Sequence, residues 1–241
     1  MAEYTITIKN QTLRFITNEK VFSPGALDTG TAAMLSTVEF LPGDKVLDLG
    51  CGYGPVGILA AKLTAPGQVT MCDVSEDALR LAKENAARNG IPMVQDGAPP
   101  ADGFLRILKS DGLRSIPDRD YTKILSNPPY HTDFSVAKAF IKDGYSHLAA
   151  GGVMYMVTKR RAWYKNKLIA VFGGVHIDEI DGYYVFTAEK RVSNTRTEKE
   201  RVLHETMRPK IPGSMPSPQK NEQKQKLSKK LARKAKKKRR I

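Results

Sequence analysis

The chain has 241 residues, 41% of them hydrophobic and 7% aromatic, which is enough apolar material for one sizeable core. No apolar run approaches the ~20 residues that span a bilayer, and the N-terminus "MAEYTITIKN" lacks the basic and apolar regions of a secretory signal, so the expected location is cytoplasmic and no membrane is expected as a partner. Two cysteines, Cys51 and Cys72, and four scattered histidines exclude a disulfide framework and offer no metal-ligand spacing, so no metal is expected.

The first element is a hairpin. In "YTITIKNQTLRFITN" apolar and polar residues alternate on both sides of a polar turn at Lys9-Asn10-Gln11, a period that suits two short strands capping a domain. After "VFSPGALDTG", the stretch "TAAMLSTVEFL" has near-helical apolar spacing, and "PGD" breaks the chain before "KVLDLG". Strands are then predicted over Lys45–Leu49, Gln68–Cys72, Leu105–Lys109, Thr122–Ser126 and Val153–Thr158. Helices are predicted around Val56–Thr64, Ser75–Asn89, Ser135–His147 and Arg161–Phe172. Such alternation predicts an α/β fold with parallel strands and crossover helices. Two further runs, Val175–Ile180 and Tyr183–Ala188, meet through Asp181-Gly182, a strong hairpin signal, so an antiparallel pair finishes the sheet.

The chain ends in a segment of different composition. Of the 39 Lys/Arg, 13 lie in residues 209–241 beside a single acid, Glu222, so this segment carries +12 of the net +14 and residues 1–208 only +2. "PKIPGSMPSPQKNEQ" followed by "KKLARKAKKKRRI" reads as a linker and a polycation with too little apolar surface to fold alone, and nucleic acid is the natural partner of that charge. The expected organisation is a body over 1–208 with a disordered basic tail over 209–241.

Chemistry is concentrated in two loops. In "VLDLGCGYGPVGILAAKL" a strand runs into Gly50, Gly52 and Gly54 and a helix follows, so that backbone N–H groups and positive φ angles are available to a ligand. Asp48 precedes the loop, either as a cofactor contact or as an acid capping the helix. Asp73 ends the next strand, 23 residues after Gly50, where an acid can accept both ribose hydroxyls of an adenosine-containing cofactor. Ser75 is the better cap for the helix that follows. The position three after Gly52 is Pro55, which departs from a dinucleotide fingerprint. Instead, Asp48-Leu49-Gly50-Cys51-Gly52-Tyr53-Gly54 resembles the first motif of class I S-adenosylmethionine-dependent methyltransferases. That resemblance implies a Rossmann-like, mostly parallel seven-stranded sheet and S-adenosylmethionine as cofactor. It also directs attention to Ser110 and Asp111 in "KSDGL", where Asp111 either accepts from the adenine amino group or forms the turn.

The second loop is "SNPPYH", Ser126 to His131. An isolated Pro-Pro usually just ends a strand, but here it follows a methyl-donor motif. Asn127-Pro128-Pro129-Tyr130 resembles the fourth motif of methyltransferases acting on planar nitrogens: adenine N6, guanine N2 and the glutamine side-chain amide. The resemblance implies that Asn127 and the Pro128 carbonyl accept the protons of the target amino group, with Asn127 also bordering the cofactor, and that Tyr130 offers a stacking face. His131 reads as a loop histidine. The N-terminal hairpin, "FSPGALDTGTAAML", "SNPPYH", "HLAAGGVMYMV" and "FGGVHIDEIDGYYVFTAEK" together are similar to the small methyltransferase domain of bacterial ribosomal RNA guanine-N2 methyltransferases, over about residues 4–190. By that likeness Asp28 to Gly30 would border the cofactor or the base, and the partner would be ribosomal RNA or a pre-ribosomal particle. Two-domain members carry an extra N-terminal copy that helps hold RNA, which the basic tail here would replace. The expected reaction is methyl transfer to N2 of a guanine in ribosomal RNA. The competing readings are a protein glutamine methyltransferase, an adenine N6 methyltransferase and a non-catalytic RNA-binding module.

Overall fold

The alternation in the first 17 residues produces an antiparallel pair, β1 (Ala2–Ile8) and β2 (Gln11–Thr17). In the computed structural model, which describes residues 2–18, 26–96, 98–99, 101–129 and 134–191, the turn is tighter than expected. Lys9 and Asn10 both take positive φ (48° and 62°), and Gln11 already belongs to β2. A two-residue turn of this hand matches the twist of the strands.

Seven further strands form one sheet: β3 (Val46–Leu49), β4 (Val69–Asp73), β5 (Arg106–Lys109), β6 (Tyr121–Ser126), β7 (Leu148–Thr158), β8 (His176–Ile180) and β9 (Tyr183–Glu189). Their order is β5-β4-β3-β6-β7-β9-β8, parallel through β7 and antiparallel for the last two. The expected Rossmann-like sheet with its terminal hairpin is thus present. Helices α1 (Thr29–Thr37), α2 (Pro55–Leu63) and α3 (Glu76–Arg88) pack with the hairpin on one face, around Met34, Ile58 and Leu81. Helices α4 (Ser135–His147) and α5 (Arg161–Phe172) pack on the other, around Phe140, Ile141 and Leu168. Because the chain reverses direction across the sheet between β3 and β6, a crevice opens at their C-terminal ends.

Two boundaries differ from the sequence pattern for identifiable reasons. Gln68 lies in a 3-10 turn over Pro66–Gln68 that delays β4 by one residue. β7 starts at Leu148, ahead of the predicted Val153 and of the pair Gly151-Gly152. Gly151 donates to the Lys190 carbonyl (2.7 Å), Lys190 donates back to Gly152 (2.8 Å), and a Cβ on Gly152 would lie 2.7 Å from the Tyr121 carbonyl. The pair is a bulge that lets strands approach.

The hairpin is tied to the body by side chains standing in for a strand. Asn85 accepts from the Ile16 N–H (2.8 Å) and donates to the carbonyls of Ile16 (3.0 Å) and Tyr53 (2.9 Å). One turn on, Asn89 accepts from the Arg14 N–H (3.0 Å) and donates to the Arg14 carbonyl (2.8 Å). The i, i+4 spacing of a helix face is thereby matched to alternate residues of β2.

Among the described residues no helix is long and apolar enough to cross a membrane, and no cluster of His, Cys, Asp and Glu suits a metal. The expected basic tail, Tyr130 and His131 lie outside the described residues, as does all of "FSPG".

Candidate functional site

β3 ends at Leu49 and the chain turns through Gly50, Gly52 and Gly54, all at positive φ (75°, 55° and 100°). The N–H groups of Gly50 and Cys51 both donate to the Cys72 carbonyl (2.9 Å each), strapping the loop to the end of β4. Gly54 caps α2, and a Cβ there would lie 2.9 Å from Met71 Cε, so both its conformation and its close approach demand glycine.

Two acids hold this loop. Asp73 accepts from the Gly52 N–H through Oδ2 and from the Ser75 N–H through Oδ1, both at 2.9 Å, while Ser75 itself caps α3 as the spacing requires. Its carboxylate stands half-buried at the cavity wall. Asp48 is 2% exposed and accepts from the Gly57 N–H in the first turn of α2 (2.8 Å). The capping role considered for it is therefore real, and it lines the cavity as well. Burial pushes its carboxyl up to about 7; the Gly57 N–H opposes that rise and the charge of Asp73 adds to it.

β6 delivers the second loop. Ser126 Oγ donates to the Leu49 carbonyl (2.8 Å), joining the ends of β6 and β3, and Asn127 follows at the crevice. Its Nδ2 donates to Asp28 Oδ2 (2.7 Å) and to Thr31 Oγ1 (3.0 Å), and Asp28 Oδ2 in turn accepts from the N–H (2.8 Å) and hydroxyl (3.2 Å) of Thr31. A carboxylate can only accept, so the amide has one workable orientation. That orientation leaves Asn127 Oδ1 buried with no hydrogen-bond partner among the described residues, at the wall of the cavity.

The cavity, about 450 Å³, is lined by Asp48, Gly50 and Gly52 of the glycine loop, Asp73, Ser110, Asp111, Asn127, Pro128 and Pro129, together with Asp28 and Thr31. The sequence-derived residues thus converge on one space with two exceptions: Gly54 caps α2 without lining the cavity, and Tyr130 lies outside the described residues. Ser110 and Asp111 converge in position but are already engaged. Ser110 Oγ accepts from the Ser115 N–H (3.1 Å), and the exposed Asp111 carboxylate pairs with Arg114 (2.7 Å).

Among the lining residues to which the sequence reading gave no site role, four stand out. Val74 and Phe140 supply apolar walls, Phe140 lying 3.4 Å from where a Cβ on Gly112 would be. Tyr53 shares a hydrogen bond with Tyr4 of the hairpin (2.7 Å), and burial raises its phenol. Thr31 was noted only within an apolar helix. Tyr53 and Val74 could have been found from their places in the glycine loop and after Asp73, whereas Thr31 and Phe140 meet the cavity only through tertiary packing.

The profile of the methyltransferase small domain family matches residues 12–187. The ribosomal RNA small subunit methyltransferase C of Pseudomonas putida is 29% identical over 192 residues, which are 78% of this chain and 54% of that protein. The chain therefore spans about half the length of such curated relatives. The Bacillus subtilis protein YbxB is 28% identical over 193 residues, 78% of this chain and 90% of its own. Among solved structures, the Thermus thermophilus 16S rRNA N2 methyltransferase RsmC, in complex with AdoMet and guanosine, superimposes with a TM-score of 0.68 at 24% identity, over 78% of this chain and 50% of its own. At that identity the likeness establishes the fold.

Proposed function

Because this chain belongs to the methyltransferase small domain family, we propose that it catalyses methyl transfer from S-adenosylmethionine to N2 of a guanine in ribosomal RNA. The observation that carries this reading is Asn127 Oδ1, a buried acceptor with no partner among the described residues, held at the wall of a ligand-sized cavity. A buried polar atom with no partner is costly unless a ligand satisfies it.

The residues present fit the cofactor. Glycine-loop backbone approaches from one side, Asp73 retains lone pairs for ribose hydroxyls, and Val74 and Phe140 offer apolar surface to an adenine. When bound, S-adenosylmethionine supplies a methyl group on a positively charged sulfur. An exocyclic amino nitrogen is a poor nucleophile because its lone pair is delocalised into the ring. Asn127 Oδ1 accepts a hydrogen bond from one of its N–H groups and the Pro128 carbonyl from the other, which orients the nitrogen and favours a geometry with the lone pair available; the methylated nitrogen then releases one proton to solvent. Asp28 strengthens this acceptor, because an amide whose N–H₂ donates to a carboxylate carries more electron density on oxygen. Tyr130 provides the ring on which the base stacks. No strong general base is needed. The RNA substrate is supported by the names of the curated relatives and by the +12 segment over 209–241, which suits ribosomal RNA or a pre-ribosomal particle in the cytoplasm.

The test is to incubate the protein with S-adenosylmethionine and small-subunit ribosomal RNA lacking its methyl groups, digest the RNA, and identify nucleosides by mass spectrometry. N2-methylguanosine is expected. N6-methyladenosine, or methyl transfer only to protein glutamine, would replace this reading with one of its competitors.

A further inference from the structure

Ser126 of β6 pairs with Met156 of β7 in parallel register, so the chain leaving β7 after Thr158 emerges at the same edge of the sheet as Asn127. It emerges as three consecutive exposed cations, Lys159, Arg160 and Arg161. Each stands over an aromatic ring: Lys159 Nζ lies 4.7 Å from the Tyr183 centroid, Arg160 5.1 Å from Phe134, and Arg161 5.6 Å from Tyr184. Such contacts hold flexible cationic side chains in place.

Two of these rings flank the loop that bears Asn127. A Cβ on Gly30 would lie 2.8 Å from the Tyr183 ring and 3.1 Å from Asp28 Oδ2, so Tyr183 adjoins the group that orients Asn127. Phe134, the first described residue beyond the Asn-Pro-Pro segment, stacks on half-buried Trp163 with centroids 4.3 Å apart and planes 14° from parallel. Lys165 and Lys167 continue the charge along α5, which contains no acid. Among the described residues none of the five cations is paired with a carboxylate. Helix stability does not account for Arg160 and Arg161 either, since cations at the start of a helix oppose its macrodipole.

We infer that Lys159, Arg160 and Arg161, set on Tyr183, Phe134 and Tyr184, form a ridge that docks the sugar–phosphate backbone of the RNA beside the nucleotide entering the cavity. The inference rests on the RNA-substrate reading above. Phosphates match unpaired cations in a row, and the exposed edge of the Phe134–Trp163 stack offers a surface to a neighbouring base.

The test compares the full chain with Lys159→Gln/Arg160→Gln/Arg161→Gln and with Arg160→Lys/Arg161→Lys, using a transcript of small-subunit ribosomal RNA in binding titrations at several salt concentrations. The C-terminal segment is identical in all three proteins, so differences belong to the ridge. The glutamine variant is expected to bind about tenfold or more weakly at 0.1 M salt and to lower the log–log salt slope by about 2, since each engaged charge contributes about 0.7–0.9. Its S-adenosylmethionine affinity and melting temperature should stay unchanged, and the lysine variant should bind within about threefold of wild type because it keeps the charge that phosphates meet. Equal affinity and slope for a folded glutamine variant would overturn the ridge even if the wild type methylates the transcript. Ridge-dependent binding without methyl transfer would support the ridge and overturn the proposed reaction, whereas a wild type that does not bind the transcript would overturn both.

Discussion

At Asn127 the orientation of one amide depends on one carboxylate, and Asp28 can be changed without removing its helix cap. Asp28→Ser keeps an acceptor for the Thr31 N–H, because serine is a good N-cap, but its shorter side chain does not reach Asn127 Nδ2. Single-turnover methylation by this variant is expected to slow about tenfold or more, with melting temperature and S-adenosylmethionine affinity unchanged. Asp28→Asn, which retains an acceptor at the same reach, should keep more activity. Equal rates for wild type and Asp28→Ser would reduce Asp28 to a cap. A second residue-scale consequence concerns Asp48, whose folded carboxyl titrates near 7 against an ordinary value of 3.8. Because the folded value is raised, its contribution to stability is fully present below about pH 4 and is lost as pH rises toward 7, with no further change above that. Urea denaturation at pH 5 and pH 7 should show this loss in wild type and a smaller one in Asp48→Asn. Parallel pH dependence in the two proteins would mean that Asp48 is already ionised at pH 5.

Between elements, the junction most exposed to test is that of α3 with the hairpin. Asn85 is 0% exposed, and its side chain serves three backbone groups on two different segments. Asn85→Ala would leave those groups buried and unpaired, at about 1–3 kcal/mol for an unsatisfied polar group, so a total loss on the order of 3 kcal/mol is expected by denaturant titration. Cofactor affinity should fall with it, because the Tyr53 carbonyl anchors the glycine loop. A loss below about 0.5 kcal/mol would mean that apolar contacts of Leu13 and Phe15 hold the hairpin unaided. The hairpin itself was legible from its period of two. Its attachment was not, since Asn85 and Asn89 look in sequence like polar residues on an ordinary helix. The start of β7 was hidden for a related reason: a glycine pair signals a turn locally, and only pairing with Lys190 makes it a bulge.

For the whole molecule, charge is divided between a near-neutral body and a terminal polycation, so the two are separable by truncation. Deleting residues 213–241 is expected to leave melting temperature and S-adenosylmethionine affinity unaltered while weakening RNA binding and flattening its salt dependence. Identical salt slopes before and after truncation would give the segment another purpose. By itself the sequence determined the class of fold, the glycine loop, Asp48, Asp73 and the Asn-Pro-Pro strand end. Those features are local: hydrophobic periods, positive-φ glycines and prolines act through the backbone of the residues that carry them. The tertiary structure alone decided that Asp28 and Thr31, almost a hundred residues before Asn127, turn its amide, that Tyr183 adjoins them, and that cations leaving β7 border the same edge. Strand order brings these segments together, and no spacing along the chain encodes which ends of a sheet become neighbours.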